Sequence, residues 1–225
     1  MRDAEYWNYT STLIKASEYG YLEIVQTLLG RGADVHHSND YGDTALHKAS
    51  EKGHIEVVRA LLEAGAEADV RRANGYSFTP ISRACQGKHM EVFRALVEAG
   101  GDVNTPDSYG DTALNDASDH GFTEGVRYLV ERGADVNKSI AGIYGHNPLT
   151  LASACCHVEV VRALLEAGVD VNMRDDRGMS PLYYALKEEI STSSEQRRQD
   201  FAQIVALLRE AGAQELQPHE LENLE

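Results

Sequence analysis

The sequence predicts an all-α repeat solenoid, and three observations carry the prediction. Alanines recur at Ala16, Ala49, Ala84, Ala117, Ala152 and Ala185, with spacings of 33, 35, 33, 35 and 33 residues. Three residues before each stands Leu13, Leu46, Ile81, Leu114, Leu149 or Leu182, and sixteen after the first five stands Gly32, Gly65, Gly100, Gly133 or Gly168. Within a period the apolar residues keep helical spacing, as Ile55, Val58, Leu61 and Leu62 do. A fixed period of this size marks a unit that buries its apolar face only by stacking on its neighbours.

Each unit reads as two short helices joined by a turn. Thr44, Thr79, Thr112 and Ser180 stand where a hydroxyl can accept a bond from a free N–H of the first helical turn. Pro80, Pro148 and Pro181 fill the first helical position, where the missing N–H costs nothing. Gly20, Gly53 and Gly121 end the first helix by taking positive φ. Lys88 and Cys156 replace that glycine, which predicts locally soft points. The second helix ends at the glycine of the sixteenth position. Gly125, in the place of Val57 and Val160, should leave a small cavity and cost about 1 kcal/mol in helix propensity.

Thr44-Ala-Leu-His-Lys-Ala49 and Thr79-Pro-Ile-Ser-Arg-Ala84, with Gly53-His-Ile-Glu-Val-Val58 and Leu61-Leu-Glu-Ala-Gly-Ala66, resemble the ankyrin repeat. The resemblance runs from about Asn8 to Ala213. It implies a stack of helix-turn-helix units with β-hairpin fingers, a concave binding face and no catalytic activity. The reading is one domain over 1–213, with repeats at about 8–35, 39–70, 71–104, 105–137, 138–172 and 173–213, then an acidic tail at 214–225. Trp7 in the first segment is read as a lid on the first repeat. The last repeat carries an insertion near 188–198, read as a loop followed by a helix from about Ser194 to Ala211, with Ser193 and Gln196 at capping-box spacing. The tail is expected to dock loosely through Leu216, Leu221 and Leu224.

Composition narrows the function. The 225 residues include 36 Asp plus Glu against 21 Lys plus Arg, a formal charge of −15, which disfavours nucleic acid and anionic lipid as ligands. No apolar run approaches the ~20 residues of a membrane span. Three cysteines make no disulfide framework, and a reducing, cytoplasmic setting is expected. Cys155-Cys156-His157 invites a metal or thiol reading, but His157 shares its register with His54 and His89, and Cys155 shares one with His120. His36 and His37 are expected to be solvated, and His47 to be a structural hydrogen bonder. No phosphate loop, nucleophile elbow or dinucleotide fingerprint is present, so no cofactor and no enzyme activity are expected.

The surface signal is a register of rings. Eight residues before four consecutive anchor alanines stand Tyr41, Tyr76, Tyr109 and Tyr144, with Asn8 and Arg177 at the ends of the row. Tyrosine is enriched in binding hot spots, while packing of ring on finger is the competing role. Two residues on are Asp43, Phe78, Asp111, His146 and Met179, a position that faces ligand in the resembled family. The first helices add Glu51, Lys52, Gln86, Asp119 and His120, and Asp111, Asp116 and Asp119 make one repeat the most acidic stretch of this face. The expected function is a monomeric, non-catalytic scaffold or adaptor that binds another protein, one with a basic patch, through this face. The alternatives are a metal-dependent or thiol enzyme using His120 and Cys155, an acidic inhibitor of a basic enzyme, and self-assembly through repeat ends.

Overall fold

The structure, a computed structural model, describes residues 2–100, 102–108, 110–139 and 145–217, with backbone alone for residues 2–8. Two compact units divide it, Met1–Ser108 and Tyr109–Glu225. The first holds α1 (Arg2–Glu18), α2 (Leu22–Gly30), α3 (Ala45–Lys52), α4 (Ile55–Glu63), α5 (Pro80–Gly87), α6 (Met90–Ala99) and a 3₁₀ turn at Ala66–Asp69. Its inner helices α1, α3 and α5 pack in sequence, and so do its outer helices α2, α4 and α6. The second unit holds α7 (Ala113–Asp119), α8 (Thr123–Glu131), α9 (Pro148–Ala154), α10 (Val158–Glu166), α11 (Pro181–Ser191) and α12 (Glu195–Glu210). There α7, α9 and α11 form the inner row, and α8, α10 and α12 the outer one.

Local chemistry sets the helix starts. Thr44, Thr79, Thr112, Asn147 and Ser180 all cap their helices with a side-chain oxygen that accepts from the N–H three residues on. The anchor alanines from Ala49 to Ala185 are 0% exposed, because the inner helices approach closely there. The fingers, among the described residues, are turns rather than extended strands. Among the described residues the only ladder contact is an isolated bridge between Ser38 and Thr44.

A histidine ties several repeats together. His54, His89 and His157 each donate from Nε2 to a carbonyl of the preceding repeat, at Glu18 (3.1 Å), Glu51 (3.1 Å) and Asp119 (2.8 Å). The ring lies over the turn glycine: a Cβ on Gly20, Gly53 or Gly121 would stand 2.5–2.7 Å from it. Those glycines therefore serve ring approach as well as positive φ. Lys88 and Cys156 take the same left-handed conformation at φ 53° and 66°, so the turn survives at a cost in backbone strain.

Several expectations are corrected. Gly125 leaves no cavity, because Phe122 stands in the histidine register, is 2% exposed, and places its ring 2.6 Å from where a Cβ would be. The segment around 188–198 is mostly helix, since α11 runs to Ser191 and α12 is capped by Ser194 rather than Ser193. Gln196 bonds Asp200 along α12 instead of closing a capping box. His36 is not simply solvated: its Nδ1 lies 2.9 Å from the buried Asp69 carboxylate. Residues 2–9 continue α1 as helix, and the side chain of Trp7 lies outside the described residues. Leu216 packs against Met179, Tyr183 and Tyr184, whereas Leu221 and Leu224 also lie outside them.

One substitution tests the turn chemistry. Gly42 and Gly178 stand at finger tips with φ 78° and 77°, and Ser77 takes φ 69° in the same register. Ser77→Gly is expected to raise stability by about 0.5–1 kcal/mol, the left-handed strain less the freedom glycine adds to the unfolded chain. A urea midpoint measured beside the parent checks it.

Candidate functional site

Three hydrogen bonds shape the finger tips at Asn39, Asn74 and Asp175. The side-chain oxygen of Asn39 accepts from the N–H groups of Tyr41 and Asp43, and its own N–H donates to the Asp43 carbonyl. Asn74 repeats this with Tyr76 and Phe78, and Asp175 with Arg177 and Met179. The Asn or Asp two residues before Tyr41, Tyr76, Tyr109 and Arg177 was a readable sequence signal, since these side chains bond their own backbone in turns.

Adjacent fingers then dock on one another. Gly75 N–H donates to the Tyr41 carbonyl at 2.8 Å, and a Cβ on Gly42 would meet the Gly75 nitrogen at 2.8 Å. The docking places the Tyr41 and Tyr76 rings side by side, centroids 6.1 Å apart and inclined by 24°. They lean together more closely than the repeat spacing of about 10 Å. Both stay in solvent, 59% and 60% exposed. The longer finger adds two clamps: Arg72 donates to the His36 carbonyl at 2.8 Å, and Arg71 reaches the carbonyls of Asp102 and Thr105.

The other candidates separate by burial. Asp43 is 3% exposed, held by Lys48 at 2.7 Å and by the Asn74 amide at 2.6 Å. Burial alone would raise its carboxyl, but those two bonds outweigh it and hold the group below the usual carboxylate range. It joins repeats internally rather than facing a ligand. Lys48 also reaches Glu51 at 3.5 Å, and Glu51 pairs with the exposed Lys52 at 2.8 Å. Phe78 is half-buried with the Arg83 guanidinium 4.2 Å above its ring. His47 is fully buried, accepts at Nδ1 from Thr44 N–H and donates from Nε2 to the Phe78 carbonyl. Burial pushes its imidazole down to about 4.

In the second unit Asp111, Asn115, Asp116, Asp119 and Leu151 line an open cleft of about 180 Å³. The three aspartates are half-buried. His120 turns inward and donates from Nδ1 to the Asp116 carbonyl at 2.9 Å. Cys155 donates its thiol to Asp119 at 3.3 Å, and burial followed by that carboxylate pushes the thiol up to about 12. A thiol so raised is not a nucleophile near neutral pH. No group of three His, Cys, Asp or Glu among the described residues could hold a metal ion. Tyr109 and Tyr144 lie outside the described residues.

His146 belongs to a network that sequence reasoning missed. Its Nε2 lies 3.3 Å from the Tyr184 hydroxyl, which donates to the buried Asp175 carboxylate at 2.6 Å and accepts from Arg177. Burial lowers the His146 pKa, opposed by Asp175. Arg177, at the ring position of the last finger, replaces an exposed tyrosine with a charge that the network uses.

A family model described as ankyrin repeats (many copies) matches residues 13–62 and 149–192, and one described as ankyrin repeats (3 copies) matches 67–140. The chain belongs to the ankyrin-repeat family. The crystal structure of the human ASB11 ankyrin repeat domain superposes with a TM-score of 0.72 at 24% identity, covering 90% of this chain and 84% of that one. An ankyrin repeat protein of Acanthamoeba polyphaga mimivirus is 51% identical over 39 residues, 17% of this chain and 30% of that protein's length. Ankyrin repeats are generally protein–protein interaction modules and typically non-catalytic. No helix among the described residues of this ankyrin-repeat chain is long and apolar enough to cross a membrane.

Proposed function

We propose that this ankyrin-repeat chain is a non-catalytic scaffold or adaptor that binds a partner protein through its finger row and inner helices. The observation that carries the reading is the Tyr41–Tyr76 pair: two large rings, stacked and rigidly docked, yet about 60% exposed. Solvated rings held in one geometry lose little entropy on binding and bring large contact area. The same reading takes in Phe78, Glu51 and Lys52 of the first unit. Asp111, Asp116 and Asp119 of the second unit supply negative charge, which fits a partner surface with a basic patch. Tyr109 and Tyr144 share the finger register and belong to the same reading, whereas Asp43 and His146 serve it as supports.

The test is affinity capture at low and high salt, comparing the parent with Tyr41→Ala/Tyr76→Ala. The double variant is expected to weaken retention of the captured partner by more than tenfold while leaving the far-ultraviolet dichroism intact. Equal retention by the variant would remove the pair as the binding site.

A further inference from the structure

The first outer helix, α2, breaks a pattern that the next four outer helices keep. These carry an arginine and, four residues later, a glutamate: Arg59/Glu63, Arg94/Glu98, Arg127/Glu131 and Arg162/Glu166. The same two places in α2 hold Gln26 and Gly30. Val57, Val92 and Val160 share a register and are each 1% exposed, whereas Ile24, their counterpart in α2, is 45% exposed. Ile24 thus has the residue type of a buried stacking position on an uncovered face. Tyr21 and Tyr19, 55% and 59% exposed with rings stacked 5.8 Å apart, extend the apolar surface at the start of the helix.

The charges on this face are unpaired in a self-complementary way. Glu23, Ile24, Thr27, Leu28 and Arg31 line one open groove of about 330 Å³. All four register mates of Glu23 have an arginine three residues on, and two of them pair with it: Glu56 with Arg59 at 3.1 Å and Glu159 with Arg162 at 3.8 Å. Glu23 stands beside Gln26 instead and has no ion pair among the described residues. Arg31 lies 5.9 Å over the Tyr9 ring and has no carboxylate partner among them. Thr27, midway between the two charges, donates its hydroxyl to the Glu23 carbonyl at 2.8 Å, so the centre of the face needs no polar partner. A Cβ on Gly30 would meet nothing within 4 Å. A side chain therefore fits there in the single chain, and helix propensity favours almost any residue over glycine.

We infer that α2 pairs antiparallel with α2 of a second copy of this chain, about a two-fold axis at Thr27. Eight residues rise about 12 Å. Glu23 of each copy then meets Arg31 of the other at both ends of the contact, and Ile24 of each packs on the bare backbone at Gly30 of the other. An isologous contact of this kind closes at two copies. One nine-residue helix buries well under the ~800 Å² per partner of a standard interface, so the dimer is weak and depends on concentration. This departs from the monomer expected from the repeats, and it stands or falls separately from the Tyr41–Tyr76 site.

Equilibrium sedimentation of the full chain from micromolar to millimolar concentration tests the pairing. The mass is expected to rise from one chain toward two and to stop there. Gly30→Glu, which restores the carboxylate of the other outer helices, should weaken self-association at least tenfold without lowering thermal stability. Glu23→Arg and Arg31→Glu should each weaken it, and the two combined should restore it, because both contacts are then reversed in both copies. A one-chain mass at all concentrations overturns the inference. So does a dimer indifferent to Gly30→Glu, a double reversal no better than either single one, or growth beyond two chains.

Discussion

Lowering the pH from 7 to 5 is expected to cost about 2 kcal/mol of stability through His47, approaching about 3 kcal/mol near pH 4. The imidazole is fully buried, and burial pushes it down to about 4 from an ordinary value near 6.5. The unfolded chain therefore takes up a proton that the folded chain refuses. His47 contributes its full stability above pH 6.5, loses it as the pH falls toward 4, and changes nothing further below. Both nitrogens are committed to the neutral form, since Nδ1 accepts from Thr44 N–H and Nε2 donates to the Phe78 carbonyl. Urea unfolding at pH 7 and pH 5 should show this slope in the parent and a flatter one in His47→Gln. Equal slopes would show that protonation of His47 is not coupled to folding.

Replacing the Phe122 ring with alanine should cost about 3–5 kcal/mol, as expected for deleting a buried aromatic side chain. Phe122 is 2% exposed and fills the space that Val57, Val92 and Val160 occupy in their own helices, which is the space left by Gly125. The two positions form a complementary pair. Gly125→Val alone should cost about 1–3 kcal/mol, because its side chain meets the ring 2.6 Å from its Cβ. Phe122→His with Gly125→Val returns both positions to the residues of the other repeats and should recover most of the loss. Denaturant midpoints of the parent, Phe122→His, Gly125→Val and the pair complete a double-mutant cycle, and simple additivity of the two changes would refute the pairing.

The legible part of the fold is the part written in local chemistry. The caps at Thr44, Thr79, Thr112 and Ser180, the left-handed turns at Gly20, Gly53 and Gly121, and the apolar spacing of α4 each involve residues within a few positions of one another. The 33- and 35-residue periods then predict how such units repeat. The candidate site was legible only in its register. Tyr41 and Tyr76 share a flank as their spacing requires, yet Asp43, two residues further on, is buried rather than presented. Its partners explain why: Lys48 comes from the next helix, and Asn74 comes from the neighbouring finger, 31 residues away.

From the sequence alone follow the ankyrin-repeat class, the capped starts of the inner helices from Thr44 to Ser180, and the shared flank of Tyr41 and Tyr76. Packing between repeats decided which polar groups are spent internally, as with Asp43, His47, His120 and the Asp175–Tyr184 pair, and which face water. It also decided that Phe122 fills the place of a missing valine and that Ile24 stays uncovered. The reason is one of range. A turn or a cap is set by backbone atoms a few bonds apart, whereas burial of a charge or exposure of a ring depends on side chains that only the folded stack brings together.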